Sequence, residues 1–372
     1  MTTATAAPEL HTDIPSAAAR IPALDYTRTV DRLLVHRDAL GEVFLTDLQQ
    51  IDEGRYLAGA QLPRSHAYYG DHLLRPESYD PLLVLEACRQ AGLAGAHRLY
   101  DVSAHSKFIL THLSLDIVRP ERLGIGPASA QLAMDVTIAS RKEREGRVTG
   151  LDYLFTLAVD GTVVGTATLG LRFKTPNGYL TLRLNNRNGM ALPTSATYPR
   201  STPGTPIPPH LVGRANVENV LLVEPAVTHA GSSALLRVPA RHASLFDHPQ
   251  DHLPGMVIAE GARQLALFAT LELHGMSTAK TAVTGIDIRF TRFGELEDET
   301  VLTAETGVRT APGEAPAEHY TLGGVLELPD DDGTERVPVR VEARQKGEVL
   351  CVATFRLARS RPADDRGNRS RA

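Results

Sequence analysis

Along residues 80–90, and again along 253–264, the chain is apolar except at positions spaced as one face of a helix. The first run reads Asp80-Pro-Leu-Leu-Val-Leu-Glu-Ala-Cys-Arg-Gln90 and the second Leu253-Pro-Gly-Met-Val-Ile-Ala-Glu-Gly-Ala-Arg-Gln264. In both, Glu, Arg and Gln fall at i, i+3 and i+4, so Glu86, Arg89 and Gln90 project together, as do Glu260, Arg263 and Gln264. Charged groups in a helix marked for burial are costly. A repeated trio therefore calls for a shared purpose. Similar histidine-rich approaches precede the two helices, His66-Ala-Tyr-Tyr-Gly-Asp-His72 and His242-Ala-Ser-Leu-Phe-Asp-His248, so the repeated unit is larger than one helix.

Around each helix the hydrophobic pattern shifts to alternation, which predicts strands. In the first half they fall at Glu42 to Asp47, Tyr56 to Gln61, Phe108 to Val118, Gln131 to Ala139, Asp152 to Val159 and Thr162 to Phe173, with the helix over Pro81 to Tyr100. Asp160-Gly161 marks a tight hairpin between the last two. The second half repeats the order: Val220 to Val227, Ala234 to Val238, a helix from Pro254 to Leu273, then Thr281 to Phe290, Val301 to Thr306, Tyr320 to Leu328, Val337 to Arg344 and Val349 to Leu357. One long helix followed by antiparallel strands in each half predicts an α+β chain in which a curved sheet wraps a buried helix, twice: a tandem hotdog fold. The expected organisation is a disordered leader over 1–28, a first hotdog domain over 29–187, a proline-rich linker over 188–213, a second domain over 214–358 and a polar tail over 359–372. The two halves are expected to pack as an intramolecular pseudo-dimer.

At 372 residues the chain has room for both domains, and a net charge of -5 leaves no electrostatic footprint for nucleic acid or an anionic membrane surface. No apolar run reaches the length of a membrane span. The only cysteines, Cys88 and Cys351, lack metal or disulfide spacing, which fits a cytoplasmic protein, and Cys88 reads as core packing.

Four elements carry candidate chemistry. Glu86 and Glu260, near the starts of buried helices, are candidate general bases; the competing reading is an internal ion pair with the arginine one turn on. Helix entries offer backbone amides to a carbonyl oxygen, and Gly255 removes side-chain bulk where a thioester could approach, which favours Glu260 of the two glutamates. His72 lies fourteen residues before Glu86 and His248 twelve before Glu260, so both are candidate catalytic histidines with unequal spacing. A histidine metal site is the weaker reading, because no carboxylate or thiol completes a ligand spacing. Arg89 and Arg263 could grip a phosphate bidentately, with Gln90 and Gln264 beside them as substrate-binding candidates.

The run Leu245-Phe-Asp-His-Pro-Gln-Asp-His-Leu-Pro-Gly-Met-Val-Ile-Ala-Glu260 resembles the hotdog dehydratases that act on acyl-carrier-protein thioesters. A closer resemblance is to the tandem-hotdog A-factor biosynthesis family, the γ-butyrolactone synthases, through Val35-His36-Arg37, Leu62-Pro63-Arg64-Ser65-His66, the Asp80–Gln90 helix start and Asp251-His-Leu-Pro-Gly-Met256, all in order. The resemblance spans roughly residues 30 to 360. It implies transfer of a β-ketoacyl group from an acyl-carrier-protein or coenzyme A thioester to dihydroxyacetone phosphate, giving an ester that cyclises to a butenolide phosphate, with no cofactor and no metal. The alternatives are a hotdog dehydratase or thioesterase, and a non-catalytic acyl-ligand sensor.

Overall fold

A computed structural model describes residues 23–198, 204–229, 231–307 and 336–360. Most of the expected leader, part of the linker, the expected strand at Tyr320 to Leu328 and nearly all of the tail lie outside them. The first half runs β1 (Leu45–Asp52), β2 (Arg55–Leu62), α1 (Pro81–Leu99), β3 (Lys107–Ile117), β4 (Ala130–Arg144), β5 (Arg147–Val159), β6 (Thr162–Lys174) and α2 (Pro176–Asn186). The second runs β7 (Leu222–Thr228), β8 (Gly231–Leu236), α3 (Gly255–His274), β9 (Thr281–Phe290), β10 (Val301–Thr306), β11 (Arg336–Gln345) and β12 (Glu348–Arg359). Among the described residues the strands form one sheet in the order β1-β2-β4-β5-β6-β3-β9-β12-β11-β10-β8-β7. The sequence of strands out from the centre is the same in both directions, β3 answering β9 and β6 answering β12. A pseudo-twofold axis therefore passes between β3 and β9, whose antiparallel pairing from His112↔Arg289 to Asp116↔Gly285 joins the halves. This is the double-hotdog pseudo-dimer that the repeat predicts.

Each long helix is apolar nearly all round because the sheet curls around it. α1 starts as its sequence requires, with the Asp80 side chain accepting from Leu82 N and Pro81 at the first helical position. Tyr56 and Tyr153 reach across from β2 and β5 to donate to the Ala91 and Gly92 carbonyls. Cys88 is buried in this core, which raises its thiol pKa. The hairpin at Asp160-Gly161 has positive φ at both residues, 45° and 80°.

Several elements exceed the sequence expectation: β1 runs on to Asp52 and β5 begins at Arg147. β4 continues through Ser140-Arg-Lys-Glu-Arg144, where an exposed hairpin arm carries charge on both faces and leaves no alternation to read. α2 has only Tyr179 and Arg183 buried, so no apolar stripe announces it. Among the described residues no helix is long and apolar enough to cross a membrane.

Candidate active site

Each trio is the hub of a buried ionic network. Glu86, fully buried, accepts from Arg89 Nε at 2.7 Å and Nη2 at 2.8 Å, from Gln90 Nε2 at 2.9 Å, and from Arg37 Nη2 at 2.6 Å. Glu260 repeats this with Arg263, Gln264 and Arg214, the last donating from Nε at 3.0 Å and Nη2 at 2.8 Å. Arg37 and Arg214 were not among the expected site residues. Their signal is a second short repeat, Leu34-Val-His-Arg37 and Leu211-Val-Gly-Arg214.

Burial opposes ionisation of Glu86, but Arg37 and Arg89 outweigh it and hold the carboxyl at about 2. A carboxylate so low, with both oxygens occupied, is a poor proton acceptor near neutrality. It holds the two guanidiniums of Arg37 and Arg89 in fixed orientation. Gln90 and Gln264 are fully buried as well. Gln90 accepts from Phe44 N and Leu45 N and donates to Glu42 O; Gln264 accepts from Leu221 N and donates to Asn219 O. They clamp each helix to the segment entering its edge strand.

The histidine approaches exchange partners. The loop of the second half lies on the first trio: Arg37 Nη1 donates to Ser244 O, and Asp247 accepts from Asp38 N and Ala39 N. The loop of the first half lies on the second trio: Arg214 Nη1 donates to Tyr68 O and Asp71 O, and Asp71 accepts from Ala215 N and Asn216 N. His66 and His242 each turn Nδ1 toward two amides of their own loop and so organise it. Every site is thus composite, with His248 brought to the side of Glu86 and His72 to that of Glu260.

A charge difference between the two sites lies six residues before each glutamate, where α1 has Asp80 and α3 has Pro254. Asp80 Oδ2 lies 3.7 Å from Arg263 Nη1 and 3.8 Å from Arg214 Nη2. Burial disfavours its charge, yet Arg263, Arg214 and His72 hold its pKa below the usual range. An internal anion therefore fills the second site, and only about 30 Å³ remains there beside His72, Asp80 and Arg263.

The first site has no such carboxylate. It opens into a cavity of about 2090 Å³ lined by Arg37, Arg89, His248, His252, Gly255 and Met256, among others. The Arg89 side chain is 19% exposed, against 6% for Arg263. At the start of α3 the Val257 and Ile258 amides donate to Pro254 O, and no side chain caps the helix. Gly255 is packed so closely that a Cβ there would stand 2.9 Å from Leu110 Cδ2. The structure thus brings Gly255 to the side of Arg89 and Glu86, while Glu260, Arg263, Gln264 and His72 line the sealed half.

The rest of the cavity wall carries groups that were not among the expected site residues. His36 pairs Nε2 to Nε2 with His97 at 2.8 Å, and burial, chiefly, lowers its pKa to about 3. α2 contributes Tyr179, whose hydroxyl donates to Asp251, and behind the wall the fully buried Arg183 forms a bidentate pair with Glu295.

Residues 19–174 and 196–358 each match the family model of the A-factor biosynthesis hotdog domain. A 2-oxo-3-(phosphooxy)propyl 3-oxoalkanoate synthase of Streptomyces virginiae is 36% identical over 281 residues, covering 75% of this chain and 88% of that protein. Proteins of the same name from Streptomyces griseus and Streptomyces coelicolor are 32% and 29% identical, covering 63% and 76% of this chain and 73% and 83% of their own lengths. Of the solved structures, the dehydratase domain of PpsC from Mycobacterium tuberculosis in complex with C12:1-CoA superposes with a TM-score of 0.45 at 13% identity, over 84% of this chain and 96% of that one.

Proposed function

The chain belongs to the A-factor biosynthesis hotdog family, and on that premise we propose that it is the acyltransferase that joins a β-ketoacyl thioester to dihydroxyacetone phosphate. The relatives' name describes the product of such a step: a 3-oxoalkanoate esterified to a three-carbon ketone bearing a phosphate. The donor is a thioester of acyl carrier protein or coenzyme A, and the ester then cyclises to a butenolide phosphate.

One observation supports this reading over the dehydratase, thioesterase and sensor alternatives, none of which requires an acceptor anion. In the sealed half the arginine pair is neutralised by Asp80; in the open half the corresponding pair, Arg37 and Arg89, faces a cavity with Pro254 at the corresponding position. That pair, preset by Glu86, is our candidate seat for the acceptor's phosphate, since a planar guanidinium fixed in orientation suits a phosphate's oxygens. We assign the thioester oxyanion to the amides of Gly255 and Met256 at the uncapped start of α3, and the cavity has space for an extended thioester as well as a triose phosphate.

The test is product analysis by mass spectrometry after incubation with a 3-oxoacyl thioester, with and without dihydroxyacetone phosphate. The phosphorylated ester or its cyclised form is expected only with both substrates. Free 3-oxo acid at the same rate in both samples would make the protein a thioesterase.

A further inference from the structure

If Glu86 serves to position arginines, the acceptor hydroxyl needs another base, and the cavity wall holds an imidazole fixed by a carboxylate. His252 Nδ1 lies 2.5 Å from Asp251 Oδ1, so the ring donates from Nδ1 and carries its lone pair on Nε2. Among the described residues no hydrogen bond occupies that Nε2. Asp251 also accepts from the Tyr179 hydroxyl at 2.8 Å and 3.1 Å. Burial opposes its charge, but His252, Tyr179 and Arg183 prevail and keep it ionised down to about 2.

The loop carrying this pair is fastened on both sides. Arg183 Nη2 donates to Asp251 O at 3.0 Å while Glu295 holds the same guanidinium, and Leu253 N donates to Gly294 O at 2.8 Å. Phe293 meets the His252 ring at 89° with centroids 5.0 Å apart. The groups facing His252 are thus Asp251 on its own loop, Tyr179 and Arg183 from α2, and Phe293 with Glu295 from the segment after β9. Three residues further along lies Gly255, at the uncapped start of α3.

Three other imidazoles of the two sites are less free to act. His248 Nε2 receives the Gln250 side-chain amide at 2.6 Å, and its neighbour Asp247 is occupied by two backbone amides. His36 is tied to His97. His72 lines the sealed half.

We propose that His252, oriented by Asp251 and Tyr179, is the general base of the open site; the proposal rests on the acyltransferase reading above. His252 Nε2 takes the proton of the acceptor's hydroxyl as that oxygen bonds to the thioester carbonyl carbon, whose carbonyl electrons move onto oxygen against the Gly255 and Met256 amides. When the carbonyl re-forms, the C–S bond breaks with its electron pair on sulfur, and the proton passes from His252 to the departing thiol. Ester and thiol result, with nothing oxidised or reduced. Asp251 and Tyr179 are positioning residues.

The experiment measures kcat and KM for both substrates with the full chain, a 3-oxoacyl coenzyme A and dihydroxyacetone phosphate, across pH, with and without added imidazole. His252→Ala should lower kcat by about 10²-fold or more with both KM values within a few-fold. Imidazole should restore part of the rate, and the acid limb of the wild-type profile should be absent without it. Asp251→Asn should lower kcat by roughly 10-fold or more and leave thioester binding intact. If His252→Ala loses its cooperative melting transition, His252→Gln takes its place. A folded variant that keeps wild-type kcat, or one whose loss lies in acceptor KM with no imidazole rescue, overturns the role of His252 alone. A wild-type protein that forms no phosphorylated ester overturns the acyltransferase reading and this role with it.

Discussion

Pro254→Asp would install in the open site the carboxylate that Asp80 supplies to the sealed one. Asp80 sits 3.7–3.8 Å from two guanidinium nitrogens, a separation at which each ion pair is worth about 4 kcal/mol at an effective dielectric of 20. Desolvation consumes most of that, leaving a net of roughly 1.5–3 kcal/mol for a charge-assisted contact. An aspartate at position 254, competing from within the protein for Arg37 and Arg89, should therefore raise the KM for dihydroxyacetone phosphate about 10- to 100-fold. The fold should not suffer: aspartate is a good helix N-cap, worth about 0.5–2 kcal/mol over a residue that cannot cap, and α3 has no side-chain cap now. The assay is an acceptor titration at saturating thioester beside a melting curve on the same sample. An unchanged acceptor KM in a protein that melts at or above the wild-type temperature would refute the placement of the phosphate.

The two arginines of the trios should part company: Arg89→Lys should raise the acceptor KM about 10-fold, whereas Arg263→Lys should lower the melting temperature and leave acceptor KM alone. Glu86→Gln leaves the buried Arg37 and the partly exposed Arg89 without their counter-charge and should cost about 3 kcal/mol in chemical denaturation; undiminished stability with lost turnover would return Glu86 to the role of base. Because the Glu86 pKa falls from an ordinary 4.5 to about 2 in the folded protein, its contribution is fully present above about pH 5 and is lost as pH drops through that interval, which denaturation midpoints measured from pH 6 to pH 2.5 would record. Gly255→Val should press on Leu110 and cover the first amides of α3, lowering kcat about 10-fold or more; retention of full kcat would place the oxyanion elsewhere.

The two long helices and most strands were legible because burial writes a period into the sequence. β9 and β10 fall on the expected residues, Thr281–Phe290 and Val301–Thr306, since each alternates between core and solvent. α2 was not legible, since its buried Tyr179 and Arg183 serve the neighbouring half through polar contacts and not through an apolar stripe. The trios were visible as costly exceptions to burial, but their partners lie far off in the chain: Arg37 is 49 residues from Glu86 and Arg214 is 46 from Glu260. Proline and glycine at the start of α3 did point to an open helix end. What periodicity could not convey is the exchange of loops, which sets that helix end against the arginines of the other half, so that Gly255 serves the first trio and not its own.

In a homodimer with this palindromic sheet, every substitution would be written into both clefts at once, and a carboxylate that sealed one would silence both. Fusing the halves into a single polypeptide lifts that constraint. Asp80 can brace one cleft as a permanent strut while Pro254 leaves the other vacant, and each chain should titrate with one equivalent, not two, of a tight acceptor mimic.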